Sequence, residues 1–173
     1  MITTDRLTLR PHRTDDFEQL SSLYRDEAMT AFIRGLPANE EECWHRLLRY
    51  VGHWTALGFG LFAVVRRADD RIIGEVGFAD FRRGLGHDFD SYPEAAWMFC
   101  GAAHGQGYAV EAMTAAISWF EAAHRHEKTV CIIDPDNSGS IRLAAKLGFV
   151  KFGTSMYRGA AVTMLARTPA GAG

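Results

Sequence analysis

Cysteine is scarce in this chain: Cys43, Cys100 and Cys131 stand far apart and form no Cys-x-x-C pair. An odd, scattered set argues against a disulfide framework and against a thiolate zinc site, so all three read as reduced, buried small residues. Runs of Lys and Arg are also missing, because 19 basic residues are dispersed among 21 acidic ones for a net charge of -2. Without a basic stripe to track phosphates, direct nucleic-acid binding is not expected. No apolar stretch approaches the roughly 20 residues that cross a bilayer, and residues 1–15 are too polar for a signal-peptide core. A cytoplasmic protein with no membrane association is the expectation. His124 and His126 flank Arg125 without further clustered ligands, so they define no metal site and read as a solvated helix end.

What is present is an ordinary globular composition, 47% hydrophobic and 23% charged, on a length that suits one packed domain better than two. A single domain over residues 1–167 with a disordered tail at 168–173 follows. A monomer and a homodimer are both compatible with this composition.

Alternation in Arg6-Leu7-Thr8-Leu9-Arg10-Pro11 predicts an opening edge strand, and Thr14, Asp15 and Asp16 supply the start of a helix carrying Phe17, Leu20, Leu23 and Tyr24. After a loop over 28–38 with Gly35 and Pro37, Asn39 and Glu42 stand at capping spacing before a helix whose apolar face is Trp44, Leu47, Leu48, Val51 and Trp54. Residues 61–65 and 71–81 read as a hairpin turning at Asp69-Asp70. The segment 82–92 has no period and is long for a connection. Strand 94–101, a helix over about 107–123 and a buried strand 128–133 follow, then a turn at Asp134-Pro135-Asp136-Asn137, a helix ending at Gly148, and a hairpin of 152–157 with 161–166. Hairpins mixed with crossover helices predict a mixed sheet covered by helices.

Gly105-Gln106-Gly107-Tyr108-Ala109, set between strand and helix, is the strongest local signal for chemistry. Glycines let backbone N–H groups approach a ligand, and the helix start favours an anion such as a pyrophosphate. A dinucleotide fingerprint would need Gly or Ala in place of Val110, and a P-loop would end in Gly-Lys-Ser/Thr; neither is present. A glycine-rich turn with no ligand stays open on the letters alone.

The loop resembles the acetyl-CoA pyrophosphate loop of the GNAT superfamily of N-acetyltransferases, Arg/Gln-x-x-Gly-x-Gly/Ala: Gly105 and Gly107 match, while Ala102 occupies the Arg/Gln position. The opening Thr4-Asp5-Arg6-Leu7-Thr8-Leu9-Arg10-Pro11, Ile73-Gly74-Glu75-Val76-Gly77, the stretch 105–112, and Asn137-x-x-Ser140 with Lys146-Leu147-Gly148-Phe149 are similar, in that order, to the branch containing the ribosomal-protein N-terminal (Rim-type) acetyltransferases. The resemblance implies an α/β (α+β) GNAT-like fold, a mainly antiparallel mixed sheet of about seven strands with helices on both faces. It also implies transfer of an acetyl group from acetyl-CoA to a primary amine, on a protein N-terminus or a small molecule, by direct attack and without a metal.

By the same resemblance Trp97, Met98 and Phe99 pair with the pantetheine arm beside a splayed strand, Asn137 reaches that arm, and His104, Gly105, Gln106, Gly107, Tyr108 and Ala109 form the phosphate cradle. Glu94 matches the glutamate that serves as general base in some members, with Glu75 as second choice. Ala144 stands where many members carry an acidic tyrosine, leaving Ser140 as the group that meets the thiol sulfur and Tyr157 as fallback. The acceptor is expected between 28–37 and the last hairpin, under 82–92, where Asp88 and Asp90 could attract a cationic amine. The missing Arg/Gln and tyrosine keep a second reading open, a CoA-binding sensor or partner-binding module without transferase activity.

Overall fold

The computed structural model describes residues 1–33, 39–124, 126 and 128–169; the expected turn at Gly35 and Pro37 and the end of the expected tail, 170–173, lie outside the described residues. In chain order the elements are β1 (Ile2–Thr3), β2 (Leu7–Pro11), α1 (Phe17–Leu23), α2 (Glu27–Thr30), α3 (Glu40–Leu57), β3 (Leu61–Arg66), β4 (Arg71–Ala79) and α4 (His87–Asp90). They continue with β5 (Glu94–Phe99), α5 (Tyr108–Ala123), β6 (Thr129–Ile133), α6 (Ser138–Lys146), β7 (Val150–Tyr157) and β8 (Ala160–Arg167).

Period-two burial builds the sheet. In β3, Phe62 and Val64 pack on one face while Ala63 and Val65 pack on the other, because successive strand side chains point to opposite sides. Both faces are apolar, so both need a cover. Met113, Ala116 and Phe120 of α5 cover the first; Leu20 and Leu23 of α1 with Cys43 and Leu47 of α3 cover the second.

The sheet has eight strands in the order β1-β2-β3-β4-β5-β6-β8-β7. The expectation of about seven is one short, since β1 has only two residues, too few for a periodic signal. Adjacent strands are antiparallel except β5 and β6, which are parallel and share a single pair, Glu94 opposite Val130. Beyond that point the two strands run on unpaired, so β5 exposes one backbone edge in the middle of the sheet.

Local signals set the boundaries. The Asn39 side chain accepts the Glu42 N–H at 2.9 Å, and α3 stops at Gly58 in the left-handed region. Thr14–Asp16 forms a short 3₁₀ turn, with Asp16 buried under Arg10 and Arg13, before α1 begins. Three expectations need correction. The inner face of α3 is Cys43, Leu47 and Tyr50, whereas Trp44 and Leu48 remain exposed, because the helix lies on the sheet about one residue rotated from the predicted stripe. His124 and His126 are not a solvated end but half-buried, stacked on Phe120 with ring centroids 5.0 and 5.3 Å away. The segment 82–92 holds a helical turn, α4, in which Asp90 accepts the N–H groups of Gly84 and Gly86.

Candidate active site

The free edge of β5 opens into a cleft of about 670 Å³ between the starts of α5 and α6, with α2 along its rim. Trp97, Met98, Phe99, His104, Gly105, Gly107, Ala109 and Asn137 line it. Gln106 and Tyr108 do not. The Gln106 side chain turns back to the Ala102 carbonyl, and Tyr108 is buried with the Arg6 guanidinium 4.3 Å above its ring.

Backbone conformation shapes the loop. Gly105 and Gly107 have φ of +72° and +79°, a region that penalises any side chain. A Cβ at Gly105 would meet nothing within 4 Å, so conformation rather than crowding dictates glycine there. Gly107 is the N-cap of α5 and supplies no side-chain cap, so among the described residues the first-turn N–H groups at the cleft wall receive no capping side chain. The loop is pinned from behind: Glu111 accepts Thr4 Oγ1 at 2.6 Å, Arg6 N–H at 3.0 Å and Arg6 Nε at 2.7 Å, and Arg6 Nη1 donates to the Gln106 carbonyl at 2.9 Å. Two motifs a hundred residues apart in the sequence, the opening strand and Gly-Tyr-Ala-x-Glu, are therefore halves of one contact.

Across the cleft, Asn137 caps α6 by accepting the Ser140 N–H at 2.9 Å, and the Ser140 hydroxyl accepts the Trp97 indole N–H at 3.2 Å. That indole bond leaves the hydroxyl hydrogen free to point elsewhere. Arg142 and Lys146 of α6 also line the cleft, four residues apart and hence on one helix face. Sequence reading passed over both, though their spacing was visible. Ala144 is fully buried.

A smaller chamber of about 160 Å³ continues past Trp97, Met98, Asn137 and Ser140. Glu94 lies in its wall, 4% exposed, with both oxygens paired to Arg83: Nε at 2.5 Å and Nη2 at 2.7 Å. Burial raises the Glu94 pKa above the usual carboxylate range, while Arg83 opposes the rise and Asp90 adds to it. Arg83 in turn sits 4.8 Å over the Tyr157 ring, which brings Tyr157 into the same chamber. Nothing in the letters marked Arg83, whose partner lies on the next strand. Glu75 is elsewhere: fully buried on the α1/α3 side, it accepts the Tyr24 hydroxyl at 2.9 and 2.8 Å and lines neither cavity. Asp88 and Asp90 are likewise absent from the chamber wall.

The sheet thus splits between two parallel strands, with a glycine-capped helix start and a cleft at the split. Residues 6–150 match the acetyltransferase (GNAT) domain model, and the chain belongs to that family. It is 33% identical to a GnaT-family acetyltransferase of Bordetella pertussis, whose structure superposes with a TM-score of 0.89 over 96% of this chain and 98% of that one. An uncharacterized N-acetyltransferase, p20, of Bacillus licheniformis is 24% identical over 157 residues, 87% of this chain and 82% of that protein. The Salmonella typhimurium acetyltransferase that modifies the N-terminal serine of ribosomal protein L7/L12 shares the fold, with a TM-score of 0.79 at 15% identity over 96% of this chain and 97% of that one. Among the described residues no helix is long and apolar enough to cross a membrane.

Proposed function

We propose that this protein transfers the acetyl group of acetyl-CoA to a primary amine by direct attack, and the observation that carries the reading is the unpaired edge of β5 ending at the uncapped start of α5. The residues present fit the cosubstrate. An extended arm can bond the exposed backbone of Trp97 to Phe99 as a strand would, and the backbone N–H groups of Gly105, Gly107 and Ala109 at the cleft wall complement a pyrophosphate. Arg142 and Lys146 add positive charge that Ala102, in the Arg/Gln position, does not.

Acetyl-CoA supplies an activated thioester, so the protein's task is to orient the amine and move one proton. Attack forms the C–N bond and breaks C–S; the nitrogen's proton goes to Glu94 and the departing thiolate meets the hydroxyl of Ser140. A carboxylate has lone pairs beyond the two that Arg83 engages, and a raised pKa improves it as an acceptor. Arg83 is the positioning residue for Glu94. Ser140, fixed by the Trp97 indole, is aimed rather than free.

Calorimetry with CoA tests the cradle. Gly107→Val should weaken affinity by about tenfold or more, because a β-branched residue at positive φ distorts the turn that presents the N–H groups. A folded variant with the parent's affinity would overturn the assignment. Acetyl-CoA consumption across an amine panel tests the transfer: binding without amine-dependent turnover would make the protein a CoA sensor.

A further inference from the structure

Two arginines line the small chamber, and only one is neutralised there. Arg83 is committed to both oxygens of Glu94. Arg46 of α3 has no carboxylate within salt-bridge distance among the described residues. Its guanidinium is nonetheless held firmly. Nε donates to the Tyr50 hydroxyl at 2.7 Å, Nη2 lies 3.7 Å from Met98 Sδ, a weak acceptor, and the carbon at its centre stands 5.0 and 5.4 Å from the ring centroids of Tyr24 and Tyr50. Nη1 bonds to no described residue, and it is not among the buried unpaired atoms, both of which belong to His12. The end carrying Nη1 and Nη2 is thus left for something that enters the chamber.

The buried carboxyl whose charge acts on Arg46, that of Glu75, is engaged by the Tyr24 hydroxyl. Burial pushes its pKa up to about 7, so near neutrality it carries only part of a negative charge and compensates Arg46 incompletely. An arginine so fixed presents a planar pair of donors that matches a carboxylate better than any neutral group. Glu94 and Asp134, also in the wall, suit the opposite charge. The volume of about 160 Å³ is well under the roughly 300–1,000 Å³ of pockets for drug-sized ligands.

We propose that Arg46 receives a carboxylate on the acceptor, so that the amine acetylated here belongs to a small amino acid, its ammonium end toward Glu94 and its carboxylate on the Nη1–Nη2 edge. This rests on the acetyl-transfer reading and narrows its acceptor class, since a protein N-terminus has no α-carboxylate to offer. Tyr50, Tyr24 and Glu75 then form the scaffold that aims Arg46.

The test is calorimetry on the full chain saturated with CoA, titrated with a panel of L-amino acids and, for each, its carboxamide. In at least one pair the acid should bind about tenfold or more tightly than the amide. Arg46→Met should erase that preference while CoA affinity is kept. Amides equal to their acids in every pair, or no binding of any member to the CoA-saturated protein, would overturn the proposal and leave acetyl transfer to a peptide amine standing. Failure to bind CoA itself would overturn both readings. Should Arg46→Met not fold, the acid and amide comparison on the parent chain still decides.

Discussion

Glu75 on β4 and Glu94 on β5 stand on neighbouring antiparallel strands, and burial raises the pKa of both carboxyls, yet one faces a sealed core and the other a chamber. Glu75 has Tyr24 on both oxygens and His12 Nε2 at 3.3 Å, too poorly aligned for a hydrogen bond. His12 stacks on Tyr50 at 5.1 Å, and burial pushes its pKa down to about 4, so it is neutral at pH 7. Glu94 has a guanidinium on both oxygens and open space beside it. A perturbed pKa therefore does not single out a chemical group; access to a reacting atom does.

The sharpest way to break this contrast is Glu94→Gln. As the proton acceptor, its loss should lower kcat by about a hundredfold or more with CoA affinity nearly unchanged. Full turnover across the pH range would remove Glu94 from the mechanism. Next in size is Tyr24→Phe, which leaves the fully buried Glu75 oxygens without their donor and should cost about 1–3 kcal/mol in urea unfolding. An unchanged midpoint would mean that water or His12 replaces the hydroxyl.

The smallest effect concerns pH. A folded pKa of about 7 against an ordinary 4.5 means that folded Glu75 binds its proton more tightly than the unfolded chain does, so its contribution to stability falls as pH rises through that window. His12 acts oppositely: with about 4 against 6.5, its contribution rises with pH between those values. The two partly cancel in the parent. The Tm of Glu75→Gln relative to the parent should therefore move in the variant's favour between pH 4.5 and 7.5. A difference constant across that range would show that Glu75 titrates normally.

Much of this was legible in the letters. Asn39 caps α3 and the glycine pair opens α5 because caps and left-handed turns are decided by residues within one helical turn. Other features were not. Trp44 and Tyr50 lie on neighbouring faces of α3, and only the sheet beneath chooses which is buried. Two-residue β1 has no period to detect, and His124 and His126 were misread because Phe59, which closes over them beside Phe120 of their own helix end, lies more than sixty residues away in sequence.

By itself, the sequence determined the order of the longer strands and helices, though not β1, α2 or α4, together with the glycine turn before α5 and the family's four motifs, since each is a pattern of adjacent or near-adjacent residues. Tertiary structure alone decided what those motifs touch. Glu111 meets Arg6 across 105 residues, Ser140 meets Trp97 across 43, and Glu94 meets Arg83 across 11 with α4 between them. Contacts over such separations depend on sheet order and on the split between β5 and β6, which no local propensity encodes. The same split opens the small chamber that Arg46 of α3 lines, a meeting of helix and sheet that no local pattern of residues announces.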